Sequence, residues 1–166
     1  MHVETARIRF RKFTEHDFEL LYLLDSNVEV MRFIRNGTPR TPQEVQEKLA
    51  EILAYYQKNE GLGVFAAFEK DSDQFMGWFC LKHLDKSKDI EIGYRILPQF
   101  WNKGFGSEGA KAMLDYGFEQ GLQKICAVAH PENIASQAVM KRLGMEYIQN
   151  AVFYGAEVVY FATQKV

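Results

Sequence analysis

One stretch of the sequence decides the fold, and it reads EIGYRILPQFWNKGFGSE from Glu91 to Glu108. Its first half alternates like a strand and ends at Pro98, and its second half holds Gly104 and Gly106 just before a helical pattern. A helix N-terminus presents unpaired N–H groups and the positive end of the helix dipole. Glycines there let the backbone approach a phosphate, and Lys103 adds a positive charge. The stretch therefore predicts a pyrophosphate site where a strand, a loop and a helix meet.

Other phosphate-binding motifs do not fit this loop. It lacks the Gly-Lys-Ser/Thr ending of a P-loop, and it has no third glycine where the dinucleotide fingerprint needs one. Two glycines before a helix also occur as a simple tight turn. The loop taken alone leaves the pyrophosphate site and the tight turn open as interpretations.

Hydrophobic periodicity predicts one mixed α/β sheet around this junction. A strand comes first, followed by three short helices, three consecutive strands, a helix, a strand, a helix and two final strands. The predicted strands are 7–13, 63–69, 75–84, 89–97, 124–129, 146–153 and 157–163, and the predicted helices are 18–24, 28–34, 42–56, 110–118 and 133–143. The β-α-β segment in the middle of the chain should be parallel and right-handed.

Two of the helices begin with capping signals. Thr14, with Asp17 three residues later, is predicted to be the N-cap of the first helix. Thr41 is predicted to cap the third helix, with Pro42 at its first position and Glu44 at its third.

Length and composition predict a single domain over residues 1–166, with an ordinary globular balance of 47% apolar and 25% charged residues. The net charge is -2 and Lys and Arg form no long run, so no nucleic-acid partner is expected. The N-terminus lacks a signal-peptide core, and no apolar run approaches the length of a membrane span. No membrane contact and a cytoplasmic location are therefore the default expectations.

The cysteines and histidines point away from a metal site. Cys80 and Cys126 each lie in an apolar, strand-like run, and two buried free thiols are a better interpretation than a disulfide. The four histidines are scattered along the chain and there is no Cys-x-x-Cys pair. No metal is therefore expected.

Two ordered motifs give the chain a family resemblance. Residues 91–94 read E-I-G-Y and residues 101–108 fit W-x-K-G-x-G-x-E, with Pro98 between them. About thirty residues after the glycines, residues 131–136 fit P-x-N-x-x-S, and residues 141–145 read K-R-L-G-M where the family has K-x-L-G-F. The chain resembles the GNAT superfamily of acyl-CoA N-acyltransferases over essentially its whole length, and its RimJ/RimL-like branch in particular.

The resemblance implies a fold and an activity. The implied fold is the GNAT α/β fold, a mixed but mostly antiparallel sheet of about seven strands with helices on both faces. The implied activity is transfer of an acetyl group from acetyl-CoA to a primary amine, and the RimJ/RimL-like branch favours a protein N-terminal α-amine of the ribosomal-protein type. The alternatives are a small amine, such as a polyamine, an amino acid or an antibiotic, and a CoA-binding module without catalysis. A monomer or a homodimer is expected.

The resemblance also implies which residues bind acetyl-CoA. Main-chain groups of Tyr94 and Ile96 would pair with the pantetheine as an added strand would. Asn133 and Ser136 would line the other side of the thioester, although Asn133 is equally a helix N-cap. The glycine loop would hold the pyrophosphate; its residues are Trp101, Asn102, Lys103, Gly104, Phe105 and Gly106. Trp101 stands where many members have Gln or Arg, and packing alone explains it.

The catalytic residues are less completely specified. Glu91 is the candidate general base, with an exposed strand residue as the alternative interpretation. Met140 stands where many family members carry a Tyr that protonates the departing thiolate, and Met has no proton to donate. Ser136, a water or no group at all would take that role, with Tyr94 and Tyr147 as further stand-ins. Residues 31–40, rich in Arg and in turn residues, should border the acceptor cleft.

Overall fold

The structure is a computed structural model and describes residues 3–166. Seven strands and four α-helices follow one another in the order that the periodicity predicts, with one exception among the early helices. The elements are β1 Ile8–Lys12, α1 Phe18–Asp25, α2 Pro42–Lys58, β2 Gly63–Glu69, β3 Phe75–His83, β4 Ile90–Ile96, α3 Phe105–Glu119, β5 Lys124–Ala129, α4 Ile134–Arg142, β6 Glu146–Phe153 and β7 Ala156–Gln164. Two short 3-10 turns, at Arg35–Gly37 and Pro98–Phe100, complete them.

The strands form one seven-stranded sheet in the order β1-β2-β3-β4-β5-β7-β6. Strands β4 and β5 are parallel, and the other neighbouring pairs are antiparallel. The parallel pair follows from the crossover through α3, because parallel neighbours need a connection long enough to return to the same end of the sheet. The expected fold, a mostly antiparallel sheet of about seven strands with helices, is confirmed.

Helices pack on both faces of the sheet. On one face α3 approaches β3 so closely that a Cβ on Gly109 would stand 2.2 Å from the ring of Phe79. On the other face lie α1 and α2, which contribute the buried residues Leu21, Leu24, Val45, Leu49 and Ile52. Burial of these apolar faces is the main force that holds the helices to the sheet.

One predicted helix and one predicted cap are wrong. Residues 28–34 form turns instead of a helix, because the side chain of Asn27 accepts hydrogen bonds from the main-chain N–H groups of Glu29 and Val30 and so stabilises a turn. The N-cap position of α1 is Asp17 instead of Thr14. The Asp17 carboxylate accepts a bond from the Thr14 N–H at 2.7 Å, which closes the turn before the helix.

The capping box of α2 is confirmed. The Thr41 hydroxyl accepts a hydrogen bond from the Glu44 N–H at 3.2 Å, and the Glu44 carboxylate accepts one from the Thr41 N–H at 3.0 Å. Pro42 occupies the first position, where its missing N–H costs no hydrogen bond. Local signals therefore predict the start of this helix well.

Cys80 and Cys126 are buried free thiols, as expected, and burial raises the pKa of each to about 12. In the described part of the chain, no group of three or more His, Cys, Asp or Glu residues is placed to hold a metal ion. None of the helices within residues 3–166 is long and apolar enough to cross a membrane.

The contact between α3 and β3 gives a stability prediction. An Ala in place of Gly usually stabilises a helix interior by about 0.5–1 kcal/mol. In Gly109→Ala the new methyl group would collide with Phe79, so we expect a net loss of about 1–3 kcal/mol. Thermal unfolding should show a fall in Tm of about 2–4 °C per kcal/mol. Glu119→Ala, at the exposed end of the same helix, is the control, and an unchanged or raised Tm in Gly109→Ala would contradict the prediction.

Candidate active site

The parallel strands β4 and β5 separate soon after they meet. Their ladder contains a single register pair, Glu91 with Cys126. Beyond that pair, β4 continues to Ile96 and β5 to Ala129 without further pairing. A V-shaped gap therefore opens in the middle of the sheet, with Glu91 at its closed end.

Main-chain groups of β4 face into this gap. Leu97 donates its N–H to the Met76 carbonyl at 2.8 Å, so it belongs to the set of alternate residues that bond to β3. In an antiparallel pair the residues between them turn their N–H and C=O groups the other way. Tyr94 and Ile96 are such residues, so their main-chain groups face the gap.

Trp101 packs against the same edge. Its indole N–H donates to the Ile96 carbonyl at 2.7 Å, and that bond occupies one of the oxygens at the gap. The contact supports a packing role for Trp101 and leaves the Ile96 N–H facing the gap.

The glycine loop has the backbone shape of an anion site. Asn102 and Gly104 adopt left-handed conformations, with φ of 59° and 83°, and Gly104 is the N-cap of α3. The first helical bond runs from the Glu108 N–H to the Gly104 carbonyl, so the N–H groups of residues 105–107 start the helix without an intrahelical acceptor. Lys103 is exposed beside them.

A cation that the sequence analysis missed lies next to this loop. The Arg7 guanidinium is 3.4 Å from the place where a Cβ on Gly104 would stand, and it covers the Phe105 ring at 4.0 Å. Its Nε donates to Glu108 at 2.8 Å, and bonds from Thr5 and Arg7 overcome the effect of burial to lower the pKa of Glu108. Arg7 and Glu108 are 101 residues apart in sequence, and a contact over that separation carries no local signal.

Tyr94 connects the beginnings of α3 and α4. A Cβ on Gly106 would stand 3.0 Å from the Tyr94 ring, so any other residue at position 106 would displace the ring. Burial raises the pKa of Tyr94, although the nearby Ser136 hydroxyl and the Arg142 charge act in the opposite direction. The Ser136 N–H donates to the Asn133 side chain at 3.1 Å, which confirms Asn133 as the N-cap of α4.

The other candidate proton donors lie elsewhere. Met140 is buried in the core at 6% exposure. Tyr147 is 54% exposed on β6 and donates its hydroxyl proton to the Asn150 side chain at 2.7 Å. Of the two tyrosines considered as stand-ins, Tyr94 is therefore the one that lies beside Ser136.

Glu91 is buried, so its interpretation as an exposed strand residue is wrong. It is 7% exposed, and its Oε2 accepts from the Lys82 ammonium at 3.1 Å and from the Tyr154 hydroxyl. Within residues 3–166 no group donates a hydrogen bond to the other oxygen, Oε1, which lies 3.8 Å from the place where a Cβ on Gly93 would stand. One carboxylate oxygen is anchored, and the other lies beside Gly93.

Lys82 and Tyr154 were not found from the sequence. Lys82 lies directly opposite Glu91 in the β3–β4 register, so a correct register alone would have paired them. Although burial opposes its charge, the acidic groups around Lys82 outweigh burial and raise its pKa above the usual value. Tyr154 comes from the turn between β6 and β7, and burial followed by the Glu91 charge raises its pKa as well.

A second buried ionic group lies on the same face of the sheet as Glu91. Asp25, at the end of α1, is fully buried and accepts from Arg95 at 2.8 Å and from Arg40 at 3.0 Å. The loop between α1 and α2 also reaches the end of β5, where the Phe33 ring lies 5.2 Å from that of His130. His130 Nδ1 accepts a turn hydrogen bond from the Glu132 N–H at 3.0 Å, which makes it a structural loop residue.

The chain belongs to the GNAT acetyltransferase family. Residues 7–146 match the family described as the Acetyltransferase (GNAT) domain. A relative from Bacillus subtilis, the uncharacterized N-acetyltransferase YnaD, is 34% identical over 146 residues, which cover 87% of this chain and 82% of that protein. The protein is thus a GNAT-type N-acetyltransferase, and its reaction is acetyl transfer.

Solved structures share the fold over nearly the whole chain. A GNAT-family acetyltransferase from Bacillus anthracis is 27% identical, with a TM-score of 0.80 and coverage of 99% of this chain and 98% of that one. RimL, a ribosomal L7/L12 alpha-N-protein acetyltransferase in complex with coenzyme A, has a TM-score of 0.80 at 16% identity and 96% and 95% coverage. A spermidine N-acetyltransferase from Vibrio cholerae, in complex with CoA and spermine, has a TM-score of 0.76 at 18% identity and 96% coverage of both chains.

The shape of the glycine loop gives a binding prediction. We expect Gly104→Asp and Gly106→Asp to abolish acetyl-CoA binding in calorimetry. A carboxylate repels phosphate at both positions, and at Gly106 the new side chain would also collide with Tyr94. Gly144→Asp is a matched control, because Gly144 has the same φ of 83° as Gly104 and nothing within 4 Å of an added Cβ. Unchanged affinity in both loop variants would place the phosphate site elsewhere.

Proposed function

We propose that this protein transfers the acetyl group of acetyl-CoA to the α-amine of a protein N-terminus, as a RimJ/RimL-like enzyme. The observation that carries the proposal is the gap between β4 and β5, which closes on a buried carboxylate, Glu91, with one free oxygen. A ligand in that gap would have Glu91 on one side and the α3 N-terminus beyond its open end.

The described residues fit acetyl-CoA as a substrate. Unpaired N–H groups at 105–107, the left-handed Gly104 and the Arg7 guanidinium supply what a pyrophosphate needs. The main-chain groups of Tyr94 and the N–H of Ile96 are free to pair with the amides of an extended pantetheine. The thioester would then lie near the closed end of the gap, between Ser136 and Glu91.

Glu91 is assigned the role of general base. An attacking amine must be neutral, and the free Oε1 is the oxygen that accepts its proton, directly or through a water. Lys82 and Tyr154 hold Oε2 and so fix the direction of Oε1. A site with a single candidate carboxylate base is best matched to an amine that is easily deprotonated.

Protonation of the departing thiolate needs little help. A thiol pKa of about 8.5 makes CoA thiolate a fair leaving group. Tyr94, with its pKa raised by burial, keeps its proton and lies beside the Ser136 hydroxyl. We assign this pair the position that the family tyrosine holds elsewhere, with Met140 a core residue.

The ease with which an amine loses its proton favours an α-amine as the acceptor. An α-amine has a pKa near 8, whereas a lysine amine has one near 10.4. Similarity in fold to RimL supports a protein N-terminus, and similarity in fold to a spermidine acetyltransferase keeps a small polyamine as the second candidate. A cytoplasmic location fits either acceptor.

The acceptor proposal predicts a preference between amines. At pH 7.4 about a fifth of an α-amine is neutral, against about a thousandth of a lysine amine. We therefore expect acetylation of peptides at the N-terminal amine in preference to an internal lysine, located by mass spectrometry. N-terminally blocked peptides that contain lysine are the control, and efficient turnover of spermidine with none on any peptide would defeat the acceptor proposal.

The role of Glu91 predicts a pH-dependent defect. Glu91→Gln keeps the shape of the side chain and should lower kcat by about 100-fold, as expected for the loss of a general base. The affinity for acetyl-CoA should change little. The defect should shrink as pH rises, because more of the amine arrives already deprotonated, and a pH–rate profile with a peptide acceptor measures this.

Tyr154→Phe separates orientation from proton transfer. It removes one bond to Oε2 and leaves the carboxylate in place, so kcat should fall by less than in Glu91→Gln.

Parallel pH profiles for wild type and Glu91→Gln, or full activity of Glu91→Gln at neutral pH, would rule out Glu91 as the general base.

A further inference from the structure

The face of the sheet that carries Glu91 holds more positive than negative charge. Four cations lie there, and we call them, with the two buried carboxylates Asp25 and Glu91, the acceptor-side cluster. The cations are Lys48, Lys82, Arg40 and Arg95. Asp25 accepts from both arginines and Glu91 from Lys82, which leaves Lys48 outside these pairs.

Lys48 lies on α2, where it lines the same depression as Arg40. Its closest carboxylate is that of Glu51, at 3.7 Å, and the Glu51 side chain is 71% exposed. Burial lowers the pKa of Lys48; the Glu51 charge opposes this, and the charges of Lys82, Arg40 and Arg95 add to it. An anion placed among these cations would relieve that repulsion.

Arg95 offers a buried donor that is not used. Arg95 Nη1 donates a hydrogen bond to Asp25, and the guanidinium lies 4.9 Å from the centre of the Trp78 ring. Its Nε is buried and, within residues 3–166, has no hydrogen-bond partner. A buried donor without an acceptor is costly, so a ligand oxygen that reached it would be bound well.

The strand geometry relates these groups to the proposed base. Glu91, Gly93 and Arg95 share one face of β4, and residues two apart on a strand are about 7 Å apart. Glu91 Oε1 lies beside Gly93, and Arg95 follows on the far side of that glycine. An amine held at Glu91 would therefore have Arg95 as the next side chain along this face of β4.

Solvent reaches this side through a depression beside α2. Its volume is about 190 Å³, and it is lined by Arg35, Arg40, Glu44, Glu47, Lys48 and Glu51. Glu44 is engaged in the α2 capping box and in an ion pair with Arg35, and Glu47 accepts from Gln43 at 3.3 Å. Lys48 and Arg40 thus meet solvent at a place that a charged acceptor can enter.

We propose that the acceptor carries a carboxylate close to its reactive amine, and that Lys48 and Arg95 bind this carboxylate. This inference rests on the proposed acetyl transfer and names the chemical class of its acceptor. A polyamine brings further positive charge to a cluster with an excess of cations, so it is disfavoured. The carboxylate can belong to an acidic side chain that follows a protein N-terminus or to a free amino acid.

A panel of acceptors tests the proposal. We would measure kcat/KM with peptides that begin Ser-Asp, Ser-Asn and Ser-Lys, with free serine and serine amide, and with spermidine. The kcat/KM for the Ser-Asp peptide should exceed that for the Ser-Asn peptide by about tenfold, which is the effect of one charge-assisted hydrogen bond. Higher salt should reduce the difference, because the attraction is electrostatic.

Variants of one helix assign the effect to Lys48. Lys48→Gln should lower kcat/KM for the Ser-Asp peptide to the value for the Ser-Asn peptide. The kcat/KM for the Ser-Asn peptide itself should stay within about twofold of wild type. Lys48→Arg should keep the preference. Lys58→Gln is the matched control, because Lys58 is an exposed lysine at the other end of α2.

The outcomes separate this inference from the proposed function. Equal turnover of Ser-Asp and Ser-Asn peptides, a better rate with Ser-Lys or spermidine, or a preference that survives in Lys48→Gln would overturn the inference and leave acetyl transfer standing. Turnover of free serine but of neither serine amide nor any peptide would support the carboxylate and defeat the N-terminal acceptor. Turnover of no amine at all would overturn both.

Discussion

The divergence of β4 from β5 is the constraint on which the rest of the molecule depends. The two strands share one register pair, and every later main-chain group on the facing edge of β4 lacks a strand partner. Unpaired main-chain groups inside a sheet are costly unless something bonds to them. In this fold the solved RimL and spermidine acetyltransferase structures contain coenzyme A. The gap, the glycine loop beyond it and the carboxylate at its closed end are thus parts of one arrangement.

Charge is buried around this gap, and each buried charge is paired with a charge from another element or loop. Asp25 at the end of α1 holds Arg95 of β4 and Arg40 of the following loop, while Lys82 of β3 holds Glu91. Removal of one member of such a pair leaves an uncompensated charge, so these contacts specify one arrangement of α1 and the loop against the sheet. The same pairs set the electrostatic character of the surface that an acceptor meets.

The sequence predicted the sheet, the start of α4 and the glycine loop, because each depends on local signals such as periodicity, capping residues and turn glycines. Periodicity placed the start of α3 five residues late, at 110 instead of Phe105. Residues 28–34 were mistaken for a helix because the spacing of their apolar residues suits a helix. The hydrogen bonds that the Asn27 side chain accepts compete with the helix, and hydrophobic periodicity does not reveal such bonds. The site was predicted in part. Glu91 was identified, but its burial depends on Tyr154, a contact 63 residues away that only the folded β6–β7 turn creates.

Strand parity explains how one short segment can serve both ends of the reaction. Side chains alternate across a strand, so Glu91 and Tyr94, an odd number of residues apart, lie on opposite faces of the sheet. Glu91 joins the face of α1 and α2, where its partners are cations, and Tyr94 joins the face of α3 and α4, beside Gly106 and Ser136. The gap between β4 and β5 connects the two faces. In the proposed mechanism Glu91 would accept a proton from the amine on one face, and Tyr94 would donate one toward the thiolate on the other. Neither side chain would need to move, because the pleat of β4 already holds the two groups apart.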